Sequence, residues 1–560
     1  MSRHSVAIIG GGVAGMSAAH ELMRRNGEPV EYDITVYDAN ARRCGGKARS
    51  IPVPNSGTDG REDLPGEHGF RFFPGFYRHL PDTMTHIPYG DPARKGNVFK
   101  NLMVADRLEI PRHNKPPLVI SARFPKTLGD LVTDFKAVFL DHTGLTSEMI
   151  EFFAERIWQI LTSCHERRLH EYEKITWKAF LEPERFHDNR EYIELLINGL
   201  SRSLLANDPS IASLRTTGDT NVQLILGMVD PGHPTDRLLN GPTSKVWLDP
   251  WLDYLRGHGV TYQLGHKAKE ITFAGGQVES VMIESAAGSE RIAADYYIFA
   301  LPVERMAELL AASPTGKGLV PAFANIDELS GNVRWMNGVQ FFLYEDIPIT
   351  HGHLLFADSP WAITGISEAQ FWKQEHLENA GDGTVRGVLS FCISDWDRRG
   401  RFNGKKANDC TDEELAKEVW EEVKQAVNAG GKELIKDSNL HSWFFDPDIV
   451  DHENGGVLTL SDSEPLFINE VDSWEKRPEV EIGVPNMLLA SDYVRTFTDV
   501  ACMEAANEAA RRAVNALLQM TGSSANPCEL WPLHEPVIFA PFRWHDKHRF
   551  ERELPWDGKI

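Results

Sequence analysis

The stretch VAIIGGGVAGMSAAHELM, Val6 to Met23, constrains the fold more than any other part of this 560-residue chain. Its apolar run, Val6 to Ile9, reads as a buried parallel strand, and Gly10, Gly12 and Gly15 then set the spacing G-x-G-x-x-G ahead of a helix predicted over Met16 to Arg25. The first glycine permits a tight turn, the second lets a pyrophosphate approach the backbone, and the third lets helix and strand pack closely. Val13 and Ala14 lie between the last two glycines, at the helix N-terminus whose free N–H groups would receive the phosphates. A second apolar strand, DITVYD, ends in Asp38 with Ala39 beside it, close to the ~20-residue distance expected of a carboxylate that accepts hydrogen bonds from a ribose. Strand, turn, helix and second strand together define a Rossmann-type α/β unit that holds a dinucleotide.

Composition excludes several other classes. Asp and Glu number 81 against 58 Lys and Arg, a formal charge of -23, which disfavours nucleic acid and anionic lipid surfaces as general partners. The six cysteines are scattered without a C-x-x-C pair, so no disulfide framework or metal site is expected and a reducing cytoplasm fits. The opening MSRHS is too short and polar for a signal peptide. No run approaches the roughly 18 apolar residues that span a bilayer, and peripheral membrane contact stays open. The length suggests three or four units of about 150 residues each.

The residues after Asp38 choose the cofactor. RRCGGKARS, Arg42 to Ser50, places a glycine pair, Gly45 and Gly46, ahead of the cations Lys47 and Arg49. A nicotinamide domain would continue into a helix here, whereas a flavin protein needs a second close backbone approach and positive charge along the pyrophosphate and ring, so the stretch reads as FAD-binding. It resembles the G-G-R-x-x-[ST] segment of the flavin amine oxidase and phytoene desaturase superfamily, with Lys47 in place of the usual arginine. Lysine keeps the charge and loses the bidentate fork.

NMLLASDYVRTFTDVACMEAANEAARRAVNALL, Asn486 to Leu518, resembles the closing motif of the same superfamily, with a strand predicted to end at Asp492 and a long helix after the following loop. The resemblance implies that Asp492 meets the ribityl and pyrophosphate portion, Met503 offers its N–H to the flavin ring, and Ala506 packs beside it. Ser491 and Ala505 stand where the family has glycines, and both are small. Mid-chain, GVTYQLGHKAKEITFAGGQVESVMIE reads as a strand pair around a glycine turn, and RIAADYYIFALPVERMAELL as a strand leading into a helix. By the resemblance these touch the adenine near Ala268 and complete the sheet at Ala300 to Pro302.

The fold this implies is α/β: a Rossmann-type, GR2-like FAD-binding domain assembled from residues 1–95, 236–310 and 455–522. An inserted α+β substrate domain takes 96–235 and 311–454, and a tail takes 523–560. Within the insert, KTLGDLVTDFKAVFL is an amphipathic helix that packs in a core, lines an apolar tunnel or forms a membrane-dipping surface. Cys164, His165 and His170 match no metal-ligand spacing and read as part of a solvated helix.

Two further segments bear on chemistry. GEHGFRFFPGFYRHLPDTM, Gly66 to Met84, resembles the G-x-H-x-F region of plant-type desaturases and hydroxysqualene dehydroxylase-like flavoproteins, which implies that Gly69, Phe70 and Arg71 pass over the flavin. VQFFLYEDIPITHGHLLFADSPWAITGIS, Val339 to Ser367, resembles the HLLF…SPW passage of plant-type phytoene and zeta-carotene desaturases. The implied chemistry is hydride exchange between flavin N5 and an allylic carbon of a lipophilic isoprenoid or terpene, by desaturation, dehydroxylation or water-dependent hydroxylation. His68 is the first candidate for proton transfer, a loop-ordering role standing beside it. Arg71 places cofactor or substrate, and Tyr493, with Glu67 and Arg495, completes the polar set expected near the ring. Two alternatives stay open: a flavin amine oxidase, whose lysine beside the flavin has no evident counterpart here, and a flavoprotein subunit that binds FAD mainly as structure. The external electron acceptor and homo- or hetero-oligomeric state are undetermined by the sequence.

Overall fold

The computed structural model describes residues 2–559 apart from 28, 91–94, 120–123, 142, 231–233, 374 and 455–456. Residues 1, 455 and 560, which bound segments expected from the sequence, lie outside the described residues.

A five-stranded parallel sheet orders its strands Thr261–Leu264, Val30–Asp38, Ser2–Ile9, Tyr296–Phe299 and Met487–Leu489. The N-terminal strand sits at its centre, with Val6 to Ile9 buried on both faces, as a parallel sheet covered on both sides requires. The first helix, Val13–Arg24, begins one turn earlier than the apolar pattern predicts, because Gly12 already serves as its N-cap in extended conformation. It packs against the closing helix, Met503–Met520, with Ala14, Ala18 and Ala19 in the same core as Ala510 and Ala513. At this seam the amide of Asn507 donates to Ser17 Oγ at 2.7 Å.

The segment read as a strand pair divides into three strands. Thr261–Leu264 extends the parallel sheet at its edge, Gly265 turns the chain at φ +71, and Lys267–Ala274 then pairs antiparallel with Gln277–Ser285. The strand read as ending at Asp492 stops at Leu489, which leaves Ser491 and Asp492 on a loop beyond the sheet edge.

A seven-stranded sheet built from Arg107–Arg112, Lys115–Val119 and five strands between Asn337 and Phe445 forms the second layer system. All its pairings are antiparallel except that of Gly352–Leu355 with Arg107–Arg112. The helix Asp412–Asn428, started by a Thr411/Glu414 capping box, covers one face, with Trp420 5.1 Å from the ring of Phe341. The other face meets the flavin-proximal segment: Gly338 N–H donates to the His68 carbonyl at 3.0 Å, and a Cβ on Gly338 would lie 2.7 Å from that oxygen.

Helices between Leu128 and Val229 make a separate apolar core. The amphipathic helix Leu128–Phe139 resolves to a packed helix, with Leu131, Phe135 and Phe139 buried and Phe135 5.4 Å from Phe153. Cys164 caps the helix His165–His170 by accepting from Arg167 N–H, and His165 and His170 face outward. The tail ties the nucleotide-binding part to the helical core. Trp531 N–H donates to His79 Nε2 at 2.9 Å, Phe539 is buried in the helical core, and Asp546 pairs with buried Arg167 at 3.0 Å. No described helix is long and apolar enough to cross a membrane.

Candidate functional site

A cavity of about 790 Å³ runs along the carboxyl ends of the parallel strands and extends to the seven-stranded sheet. Ligands bind in this crevice in open α/β sheets because the loops and helix N-termini converge there. At its nucleotide end lie Gly10, Gly12, Val13, Ala14, Asp38 and Ala39. No side chain caps the first helix and no acid occupies its first turn, so its leading N–H groups are free for an anion. The two glycine loops lie side by side: Gly45 N–H donates to the Gly11 carbonyl at 2.9 Å, and a Cβ on Gly12 would lie 3.7 Å from Gly46 Cα. Any side chain there would fill the space a pyrophosphate needs. Gly15 plays a different part and does not border the cavity; a Cβ on it would stand 1.9 Å from the Gly10 carbonyl oxygen, so it serves the helix–strand contact.

Asp38 ends its strand with Oδ1 accepting from Asn40 N–H at 2.9 Å and Oδ2 3.2 Å from the Tyr262 hydroxyl. Burial raises its carboxyl to about 6, and ribose hydroxyl donors would favour the charged form. Ala268, flanked by Lys267 and Lys269, borders the far end where an adenine would lie. The residues present thus form a cradle for a flavin dinucleotide.

At the other end Gly46, Lys47, Gly69, Phe70 and Arg71 meet Asp492, Met503 and Ala506 of the closing segment. The Lys47 ammonium reaches the Pro465 carbonyl and lies 3.5 Å from Glu304, and Arg49 pairs with Asp448 at 3.0 Å and Glu464 at 3.5 Å. Both cations after the glycine pair therefore meet protein partners. Arg71 donates to the Lys47 and Ala48 carbonyls, at 2.8 and 3.3 Å, and so fastens the flavin-proximal segment to the second glycine loop.

His68 lies on the cavity wall with Nδ1 2.7 Å from Asp446 and 3.1 Å from Asp448. Burial opposes its charge, yet the Asp446 carboxylate and the hydrogen bonds to both acids lift the imidazole to about 9. These three residues are, among the described residues, the one His/Cys/Asp/Glu set whose donors converge as metal ligands would. With two carboxylate acceptors at hydrogen-bond distance, Nδ1 carries a hydrogen, and the raised pKa favours the charged imidazolium at neutral pH.

Tyr493 and Arg495 are not brought to the cavity. Tyr493 turns away from Asp492 into the core beside Val494, its hydroxyl without a hydrogen-bond partner among the described residues, and burial pushes its phenol above the ordinary range. Arg495 bonds the Trp474 and Glu475 carbonyls. Glu67 lies behind the wall, accepting from Ser50 Oγ at 2.9 Å and Thr243 N–H at 2.8 Å. The opposite wall contains residues that sequence reasoning missed: Leu205, Leu224, Met336, His353, Thr364 and Cys392. His353 belongs to the quoted HLLF passage, but nothing in its local pattern indicates which way it faces.

Fold and cavity together define a flavin-dinucleotide oxidoreductase with a Rossmann-type FAD-binding domain and an inserted substrate domain. A family model for flavin containing amine oxidoreductases matches residues 13–518. The chain belongs to that family, and its cofactor is FAD. No curated protein matches the sequence. Solved structures share the fold at low identity. An oxidoreductase from Methanosarcina mazei is 13% identical with a TM-score of 0.55, the match covering 92% of this chain and 100% of that one. A putrescine oxidase bound to putrescine is 12% identical, TM-score 0.55, covering 93% and 99%. Cyclohexylamine oxidase from Brevibacterium oxydans is 14% identical, TM-score 0.55, also covering 93% and 99%.

Proposed function

We propose that this flavoenzyme exchanges hydride between flavin N5 and an allylic carbon of a neutral isoprenoid or terpene, in the manner of the hydroxysqualene dehydroxylase-like and desaturase branch. Bound FAD supplies a two-electron hydride acceptor or donor. The observation that carries the reading is the charge pattern of the cavity. On the substrate side the cavity is bordered by Leu205, Leu224, Met336 and Cys392, and the carboxylates among its lining residues, Asp38, Glu308, Glu464 and Asp492, come from other elements. The nearest cations are His68 and Arg71, on the flavin-proximal segment. An ammonium would leave water for these apolar side chains and gain no carboxylate from them. An allylic chain meets no such penalty and gains about 25 cal/mol per Å² of apolar surface buried.

In this reading the chain's own groups divide the work. The glycine loops and Asp38 hold the dinucleotide, Arg71 keeps the flavin-proximal segment against the second glycine loop, and His68 holds a positive charge at the wall. Amine oxidation is the second reading. Phe70, Phe72, Phe76 and Tyr77 border the cavity and offer faces for a cation–π contact, and two of the structurally similar proteins are named as oxidases of amines.

Anaerobic addition of farnesene, farnesol and cyclohexylamine, with products identified by mass spectrometry, separates the readings. Bleaching of oxidised flavin by farnesene, or reoxidation of reduced flavin by farnesol, is the expected outcome. Bleaching by cyclohexylamine alone would overturn it, and a flavin that responds to none of the three would indicate an FAD-binding structural subunit.

A further inference from the structure

Besides His68 and His266, the cavity is lined by His353, whose hydrogen bonds bear on what it can do. His353 stands in the middle of Gly352–Leu355, on the wall facing the flavin-proximal segment, with its ring 5.4 Å from Phe70 and 4.9 Å from Phe72. Its Nε2 contacts Thr364 Oγ1, whose own proton goes to the Leu354 carbonyl at 3.1 Å. With that proton committed to the Leu354 carbonyl, Thr364 accepts from Nε2–H. A neutral imidazole protonated at Nε2 has a bare lone pair at Nδ1.

We propose that His353 is the proton acceptor of the oxidative half-reaction, a role that rests on the hydride chemistry proposed above. One allylic C–H bond breaks and its hydrogen leaves with both electrons to oxidised FAD. The C–H bond on the neighbouring carbon gives its proton to Nδ1 of His353, and the electron pair left behind forms the new carbon–carbon double bond. The substrate is oxidised by two electrons and the flavin reduced by two.

The environment supports this assignment. The two carboxylates beside His68 favour its charged form, whereas burial lowers His353 to about 4 and favours its neutral form. Two titratable groups in one cavity with oppositely shifted affinities divide into an electrostatic and a proton-transferring role. Among the described residues, other charged or titratable groups near this part of the cavity include Arg71, on the flavin-proximal segment, and Cys392, two strands away in the same sheet, with Glu67, Glu368 and Asp446 behind them.

The test uses FAD-loaded protein labelled with ¹⁵N-histidine. At neutral pH, the signals that vanish in His353→Asn are expected to show a neutral ring protonated at Nε2. In anaerobic single turnover with farnesene, His353→Asn is expected to slow flavin bleaching by about 10²- to 10⁴-fold, with FAD content and farnesene binding unchanged. If that variant fails to fold, Thr364→Val serves instead, and is expected to raise the Nδ1–H tautomer and slow bleaching. A ring protonated at Nδ1, or bleaching at the wild-type rate in the variant, would overturn the assignment. Should wild type bleach with cyclohexylamine and not farnesene, the isoprenoid reading fails separately. His353 is then scored by the same variant on the amine, whose ammonium must also lose a proton.

Discussion

A methyl group on Gly15 would stand 1.9 Å from a backbone oxygen, whereas one on Gly12 would meet Gly46 Cα only at 3.7 Å. The two glycines of one motif should therefore fail differently. Gly15→Ala is expected to push helix from strand, at a cost of about 1–3 kcal/mol or more, with a lowered melting temperature in apo and FAD-loaded protein alike. Gly12→Ala is expected to leave the apo melting temperature near wild type while weakening FAD binding, measured by fluorescence titration. His68 adds a pH dependence. Its folded pKa, about 9, lies above the ordinary value of 6.5, so its ion pairs stabilise the fold fully below 6.5 and lose that effect as pH rises through 9. The melting-temperature gap between wild type and His68→Gln should be widest near pH 6 and narrow by about pH 10. A gap that does not change with pH would contradict the imidazolium assignment. The glycines were legible in the sequence because their role is local backbone geometry. The partners of His68 were not, because Asp446 and Asp448 arrive from a strand end some 380 residues away. Tyr493 misled for a related reason: sequence neighbours on a loop point to opposite sides, and only Asp492 faces the cavity.

Helix ends hold the elements of the nucleotide domain together. Glu504 lies in the first turn of the closing helix, yet its carboxylate accepts from the N–H groups of Arg78 and His79, both at 2.6 Å, and Leu80 at 2.9 Å. It thus caps the helix His79–Thr85 from another element, and His79 Nδ1 lies 2.7 Å away. Burial opposes its charge, but the His79 pairing and the backbone donors hold the carboxyl below its ordinary value. Glu504→Gln replaces one acceptor oxygen by a donor, and a loss of about 3 kcal/mol or more in denaturant unfolding is expected. In the tail, Asp546→Ala removes a carboxylate from buried Arg167 while Glu171 remains, and a smaller but measurable fall in melting temperature is expected. The helices Val13–Arg24, Leu128–Phe139 and Met503–Met520 were legible from motif and periodicity. Their mutual contacts were not, since a first-turn acid ordinarily serves its own helix dipole.

At the scale of the molecule, the sheet that holds the nucleotide draws on strands from residues 2–9, 30–38, 261–264, 296–299 and 487–489. The strands 2–9 and 30–38 were legible because the glycine turn and Asp38 end them, whereas 261–264 was read as half of a hairpin and the last strand as running on to Asp492. The substrate wall was not legible, because Leu205, Leu224, Met336, His353 and Cys392 come from two helices, a loop and the seven-stranded sheet, and no local pattern marks them as neighbours. The wall is also where the central claim lies, that the cavity selects a neutral allylic chain over an ammonium. Anaerobic stopped-flow reduction by farnesene and by farnesylamine, equal in carbon skeleton length and different in charge, tests it most directly. Reduction by farnesene at least about tenfold faster, the factor given by ~1.4 kcal/mol, is the expected result. Faster reduction by farnesylamine would contradict the claim and make this protein an amine oxidase.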